Sequence, residues 1–406
     1  MRIAIATRYR QRVGGVESYL ETLLPALDRR GHSLLLLSED PGTTRPIAVP
    51  DGATFETLSK GGLERAVGAL AAWRPDVVFL QGMSEPRYEA ALVPIAPTVL
   101  FLHSYHGTCI SGTKTHAFPG TSPCVRVLGP GCLAQYFPRR CGGLSPVSMW
   151  KRYAAETAHK AMFERYRQVV VLSEHMKREA VRHGVSADAV TVLAPPIDGP
   201  TDAVLPDTKR TRLASLERGP LRLLFIGRHE AEKGGQILID ALPAVAGRVS
   251  AGIEVVFAGD GGRRQEWEAR ALRHVSDRLR VRFIGQIDPS DRDGWFDWTD
   301  LLVVPSLWPE PFGLVGPEAA VRGVPAVAFD NGGTPQWLVD GRTGRLAERG
   351  RLDPEALAEA IAWCVDAERL PRLADAARAH ATTWSMERHV IEVEDALIRA
   401  RREHLA

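Results

Sequence analysis

What this sequence lacks narrows its reading before anything present in it does. No apolar run approaches the roughly 18 residues of a membrane span. The opening MRIAIATRYRQRVGG is interrupted by arginines too early to act as the apolar stretch of a secretory leader. A cytoplasmic chain is the expectation, with peripheral contact at the inner face of a membrane left open. Charge of one sign is also missing: 51 Lys and Arg face 49 Asp and Glu, a net of +2, so nothing global points to nucleic acid. The five cysteines are odd in number and lack the dense, even spacing of a small disulfide scaffold. Low-complexity segments and short-period repeats are absent, and the first Gly-rich turn is not the Gly-x-Gly-x-x-Gly of dinucleotide binding. Asp291-Arg292-Asp293 has the letters of a metal-binding Asp-x-Asp, but it follows Pro289-Ser290, where helix capping accounts for it.

What is present is the grammar of α/β proteins, twice over. A chain of 406 residues suits two domains of roughly 200 residues each. The 45% hydrophobic and 25% charged content is that of a globular protein. A strand near residues 2–7 leads through Gly14-Gly15 into the helical pattern GVESYLETLLPALDRRG, with Leu20, Leu23, Leu24 and Leu27 at helical spacing. HSLLLLS, PDVVFLQ, TVLFLH and VVVLS read as further strands. Between about 194 and 220, turn formers and charges predict a linker. The pattern then restarts with LRLLFIG, GGQILIDALPAVA, IEVVFAGDGG, VRFIGQI, LLVVPS and PAVAFDNGG, and it closes with two helices. Alternating strands and helices predict parallel sheets covered on both faces.

Four features carry chemistry. WPEPFGLVGPEAAVRGVP sets Glu310 and Glu318 eight positions apart, with Pro317 in the first turn of a predicted helix and Gly323 near its end. Carboxylates accept hydrogen bonds from vicinal hydroxyls, and amides at a helix start attract phosphate or sugar oxygens. FIGRHEAEKGG places Arg228 and Lys233 after a strand, one a bidentate fork and one a point charge, suited to a diphosphate. The competing reading is a charged surface loop in which Glu230 and Glu232 pair with these cations. The turn Gly14-Gly15-Val16-Glu17 lets backbone approach a phosphate closely. His103 ends the strand TVLFLH, where ligands meet such sheets, although His106 and His116 stand nearby.

In this order and spacing, the four features resemble the retaining, GT-B-fold glycosyltransferases of the family 4 type, over nearly the whole chain. The resemblance implies an α/β fold of two Rossmann-like domains facing each other across a cleft. Residues 1–200 would bind the acceptor, 220–384 the nucleotide sugar, and 385–406 would form a helix packing back on the first domain. It also implies residue roles. Arg228 and Lys233 would hold the diphosphate. Glu310 would bind hydroxyls of the transferred hexose, helped by the amides of Phe312, Gly313 and Leu314, and Glu318 would bind the ribose. Gly14 and Gly15 would approach the terminal phosphate, His103 would lie beside the anomeric carbon, and the turn at Gly285-Gln286 would meet the base. No metal and no cofactor are implied beyond the nucleotide-sugar co-substrate, UDP- or GDP-linked. The acceptor is left open among small molecules, lipid-linked intermediates and glycans. An epimerase of the same fold and a non-catalytic nucleotide-sugar-binding relative are the alternatives.

The stretch 104–150 fits the resemblance least and is expected to be a long loop. It carries Cys109, Cys124, Cys132 and Cys141, for which zinc with His106 and His116, disulfides and free thiols all stay open. Its basic run Arg139-Arg140, with Lys151-Arg152 beyond, could meet an anionic acceptor or lipid head groups.

Overall fold

The runs IAIA, LLLL, VVFL and VLFL lack the alternation of half-exposed strands, so each must be covered on both faces. In a computed structural model describing residues 1–11, 14–40, 46–58, 62–199, 204–215 and 219–405, each is a buried strand inside a parallel sheet. The chain divides into two units. The first comprises Met1–Lys114, Val125–Pro196 and the stretch from Trp384 onward; the second comprises Ile197–Thr383 with Thr115–Cys124.

The first unit begins with β1 (Arg2–Tyr9), α1 (Gly15–Arg29), β2 (Ser33–Asp40), β3 (Thr54–Thr57) and α2 (Leu63–Trp73). It continues with β4 (Val77–Leu80), α3 (Pro86–Leu92) and β5 (Thr98–Leu102). A short antiparallel pair, β6 (Thr115–His116) and β7 (Ser122–Pro123), belongs to the second unit. Then come α4 (Pro130–Tyr136), α5 (Pro146–Met162), β8 (Gln168–Val171), α6 (Glu174–Arg182) and β9 (Val190–Val192). The sheet order is β3-β2-β1-β4-β5-β8-β9, parallel throughout.

The second unit holds α7 (Asp207–Ala214), β10 (Leu221–Ile226), α8 (Gly235–Arg248), β11 (Ile253–Ala258), α9 (Arg264–Ala271) and β12 (Leu279–Gly285). It is completed by α10 (Arg292–Trp298), β13 (Leu301–Val304), α11 (Val315–Ala320), β14 (Ala326–Phe329), β15 (Gly344–Ala347), α12 (Pro354–Cys364) and α13 (Arg369–Ala381). Its parallel sheet runs β12-β11-β10-β13-β14-β15. The last helix, α14 (Met386–Leu405), lies in the first unit. There it buries Val390, Val393, Leu397 and Ala400 and contacts α1, β4, β5 and β8. Glu394 on α14 accepts from Arg30 and from His32 Nε2 (2.6 Å), at the end of α1.

Three sequence expectations change here. The predicted linker contains α7, because Leu213 is buried in the core of the second unit and Lys209 Nζ donates to the carbonyls of Phe296 (2.9 Å), Asp297 (3.0 Å) and Thr299 at the end of α10. Burial pushes the Lys209 pKa down to about 8. The expected loop at 104–150 contains α4 and the start of α5, joined by a small core of Ile110, Leu128, Tyr136 and Met149, with Cys132 and Cys141 packed against it. Finally, the Asp291 side chain does not cap α10; Asp288 accepts from Ser290 N (3.3 Å) one turn earlier, and Asp293 pairs with Arg322.

The zinc alternative for the cysteines also fails on geometry. His106 turns away from them to Glu89 on α3, which His159 on α5 also contacts (both 3.0 Å). Among the described residues, these three alone bring three potential ligands together. The Glu89 carboxylate is already met by four donors: both imidazoles, Met83 N (3.1 Å) and Tyr166 O–H (2.7 Å). Such a closed network reads as a brace tying α3, α5 and the strand-end segment after β5. Cys109, Cys132 and Cys364 are thiols outside it.

Burial works to raise the Glu89 pKa, but hydrogen bonds and charge from His106 and His159 outweigh it and hold it far below the usual carboxylate range. Burial works to lower His106, and Glu89 reverses that to a net rise. Glu89 therefore stabilises the fold fully above its ordinary value of 4.5, a contribution lost as pH falls through its depressed folded value. His106 stabilises fully below its ordinary 6.5, a contribution lost as pH climbs through its raised folded value. The thermal-stability gap between the native chain and Glu89→Gln should be widest between these two ordinary values and shrink on the alkaline side. A gap independent of pH would show that the brace carries no charge.

Candidate functional site

In the second unit, β10 and β13 are neighbours without being consecutive. The chain leaves β10 toward β11 and β12, then returns to β13 on the other side. Loops after two such strands diverge and open a crevice at the carboxyl ends. Arg228 and Lys233 follow β10; Ser306, Trp308 and Glu310 follow β13.

Glycines let the backbones of these loops close on one another. Gly234 follows Lys233 at φ +73°, and a Cβ there would overlap the Pro305 carbonyl oxygen. Leu307 N and Trp308 N both donate to Glu232 O (2.8 and 2.9 Å). Gly332, after β14, sits at φ +64° against the backbone of Glu310, and Gly333 N donates to Glu310 O (2.6 Å). Asn331 Nδ2 adds bonds to the carbonyls of Ser306 (3.2 Å) and Leu307 (3.0 Å).

The result is direct contact between two of the predicted residues. Lys233 Nζ lies 2.6 Å from Glu310 Oε1, an oxygen that also accepts from Ser306 Oγ (3.0 Å). Glu310 is only 7% exposed, so its charge needs these partners. The ammonium also sits 4.5 Å from the centre of the Trp308 ring.

The other predicted residues are distributed around this contact. Arg228 is exposed, and its guanidinium meets Glu232 (3.3 Å), a surface pair of little energetic weight. The loop reading of this segment thus holds for Arg228 and not for Lys233. Phe312 is buried, and its carbonyl accepts from Trp337 Nε1 (2.7 Å). Gly313 has φ +93° and Leu314 is exposed. Because α11 has only six residues, any anion attraction there comes from local amides rather than a long helix. Glu318 on α11 meets Arg292 NH1 (2.8 Å), and burial raises its carboxyl pKa against the pull of Arg292 and Arg322. Gly285 ends β12 at φ +76°, its carbonyl accepting from Gly259 N (2.7 Å).

The first unit has the same topological reversal between β1 and β4. Gly14 N donates to Glu17 Oε2 (2.7 Å), closing the turn into α1. Nothing lies within 4 Å of where a Gly15 Cβ would stand. One turn later, the Tyr19 ring meets His103 edge-on at 5.4 Å. His103 Nε2 contacts Gln81 Oε1 (2.8 Å) at the end of β4. Burial, and then nearby His389, push the His103 pKa down to about 3, so the ring is neutral at physiological pH. His389 on α14 bonds Tyr19 O–H (2.9 Å) and the Ala194 carbonyl (2.8 Å). Sequence reasoning missed Gln81, His389, Ser306 and Arg292. Ser306 and Gln81 carried a signal, being polar residues just beyond apolar strands; His389 and Arg292 carried none.

Residues 14–196 match the family described as Glycosyl transferase 4-like domain, and residues 220–367 match Glycosyl transferases group 1. The chain belongs to the group 1 glycosyltransferases, of the family 4 type. It is 26% identical over 366 residues to glycogen synthase of Mycobacterium tuberculosis, covering 82% of this chain and 78% of that protein. It is 30% identical over 223 residues to D-inositol 3-phosphate glycosyltransferase of Corynebacterium glutamicum, covering 52% of each. Among solved structures, Anabaena HepE in complex with UDP aligns at TM-score 0.64 and 18% identity, covering 98% of this chain and all of that one. The GT-B fold class expected from the resemblance is therefore borne out. This group 1 glycosyltransferase is an enzyme of a retaining family that transfers sugar from a nucleotide sugar.

The glycines make a sharp test of the backbone argument. Gly234→Ala should lose about 2 kcal/mol or more, through left-handed strain and overlap with Pro305. Gly15→Ala should change stability by no more than about 0.5 kcal/mol, since its Cβ enters open space. Chemical denaturation of both variants reads the difference, and equal losses would contradict the backbone contacts described.

Proposed function

We propose that the enzyme moves a hexose from a nucleoside-diphosphate hexose to an acceptor hydroxyl with retention of anomeric configuration. The observation that carries this reading is the contact of Lys233 with Glu310 at the ends of adjacent strands, with Arg228 on the same loop as Lys233. A cation suited to a diphosphate and a buried carboxylate suited to sugar hydroxyls stand one hydrogen bond apart.

In the proposed reaction the bond between the anomeric carbon and the phosphate oxygen breaks, and its electron pair leaves with the nucleoside diphosphate. The acceptor oxygen attacks from the same face and passes its proton to a phosphate oxygen. Arg228 and Lys233 hold the leaving diphosphate and offset its charge. Glu310 orients the sugar hydroxyls, aided by the amides of Phe312, Gly313 and Leu314. Glu318 accepts from the ribose, with Arg292 holding its other side. Gly14 and Gly15 allow backbone approach to the terminal phosphate. Neutral His103 offers a hydrogen bond near the anomeric carbon instead of acting as a charged acid. Gly285 borders the base. UDP-glucose is the first donor to try, since HepE is also solved in complex with it, at TM-score 0.59 and 18% identity over 98% of this chain and 99% of that one.

Arg228→Ala is the cleanest probe, because an exposed side chain can be removed without disturbing the core. Its turnover of the preferred donor should fall about 100-fold or more at unchanged melting temperature. Lys233→Ala should lose as much activity and also some stability, since it strands the buried Glu310. Normal rates in both variants would reject the donor-site assignment. Glu318→Ala should weaken nucleoside-diphosphate binding about ten-fold or more, read by calorimetry or ligand-dependent thermal shift. Undiminished affinity would remove Glu318 from the ribose.

A further inference from the structure

The transfer reaction leaves unused the outer surface of the small lobe formed by α4, the turn after it and the start of α5. Acidic residues are absent from the whole interval between Glu89 and Glu156, while Lys114, Arg126, Arg139, Arg140, Lys151 and Arg152 fall within it. Elsewhere in the chain acids and bases nearly balance, so this one-sided stretch is a local feature. Lys114 is spent internally, buried against Glu179 at 2.7 Å. Arg126, Arg140, Lys151 and Arg152 are exposed.

The same lobe exposes large apolar side chains. Leu144 is 72% exposed, Val147 65% and Trp150 57%, with Phe137 and Val127 also on the surface. These are not the inward face of an amphipathic helix turned out by accident. That face exists separately: Met149 and Tyr153 of α5 pack with Tyr136, Cys132 and Cys141 in the lobe's own core. Val147 and Lys151, four apart, lie on the outward face of α5, and Trp150, three residues from Val147, stands at the edge of that face with its ring edge-on to Tyr153 at 6.3 Å and more than half of it exposed. Ser145 caps the helix by accepting from Ser148 N (3.3 Å), so Val147 and Trp150 are presented on ordered backbone. A helix apolar on its inward and outward faces, with lysine and arginine beside the outward one, has the composition of a segment lying in a membrane interface. Tryptophan suits that depth, its ring apolar and its N–H able to meet head groups. Among the described residues no helix is long and apolar enough to cross a membrane, so contact of this kind is peripheral.

We propose that this lobe docks on an anionic lipid bilayer, inserting Leu144, Val147 and Trp150 among the acyl-chain ends while Lys151 and its basic neighbours meet the lipid phosphates. The occupant follows from charge complementarity: an acid-free basic rim selects a negative surface, and the exposed aliphatic and indole groups need an apolar one. An anionic bilayer supplies both. None of these residues is among those proposed to hold the donor, so the proposal stands or falls apart from the transfer reaction.

The test is sedimentation of the full chain with vesicles of phosphatidylcholine containing phosphatidylglycerol, and with vesicles of phosphatidylcholine alone. Binding to the anionic vesicles should exceed that to the neutral ones and weaken as salt is added. The double variant Val147→Ser, Trp150→Ser should partition about ten-fold less. Lys151→Glu should lose roughly five-fold or more. Donor-induced thermal shifts of both variants should match the native chain, which separates loss of docking from loss of fold or of the donor site. The proposal is overturned if anionic vesicles bind no more chain than neutral ones, or if the double variant binds as the native chain does. It is equally overturned if light scattering shows a dimer that the double variant abolishes while vesicles are ignored, since the face would then belong to a second copy.

Discussion

A carboxylate as buried as Glu310 survives in the fold only because an ammonium and a hydroxyl reach it, and much of the second unit is arranged to bring them there. Lys233 comes from the loop after β10 and Ser306 from the loop after β13. These loops approach closely because Gly234 and Gly332 lack the side chains that would hold them apart. Asn331, from the loop after β14, then ties down the carbonyls of Ser306 and Leu307. Three strand ends thus converge on one charge, and the cost of burying that charge is offset by hydrogen bonds instead of solvent.

Around this centre, the other charged groups are held more loosely, and the difference has chemical consequences. Arg228 stays in water beside Glu232, in a surface pair of little energetic weight. Glu318 is paired with Arg292, and burial raises its carboxyl pKa against the pull of Arg292 and Arg322. The first unit solves a different problem. Its strand-end histidine is neutral, packed among Tyr19, Phe101 and His389, and positioned by Gln81.

Much of this was legible in the chain because its signals are local. Continuous apolar runs marked the inner strands, since a strand covered on both faces has no polar positions to alternate with. Gly14-Gly15, Arg228, Lys233 and Glu310 could be placed in the segments that follow strands for the same reason, and Glu318 in the helix that follows. Helix α13 was also legible, with Leu370, Leu373, Ala374, Ala377 and Ala381 at helical spacing, yet it went unread beside the charges around it. Helix α7 was not legible. Its docking depends on one leucine and on a lysine that caps carbonyls about ninety residues away, and neither leaves a periodic trace.

By itself the sequence determined the two parallel α/β units, the family, and which residues stand at the ends of their strands. Such features depend on residue type and short-range spacing. Only the tertiary structure decided which charges meet: Lys233 takes Glu310 while Arg228 takes Glu232, Arg292 takes Glu318, and His106 joins Glu89 and His159 instead of the cysteines. It also decided that Leu144, Val147 and Trp150 face outward while Met149 faces in. The physical reason is that a charge or an apolar side chain finds its partner through space. The partner is set by how sheets and loops bring distant residues together, and neighbours in sequence do not record that choice.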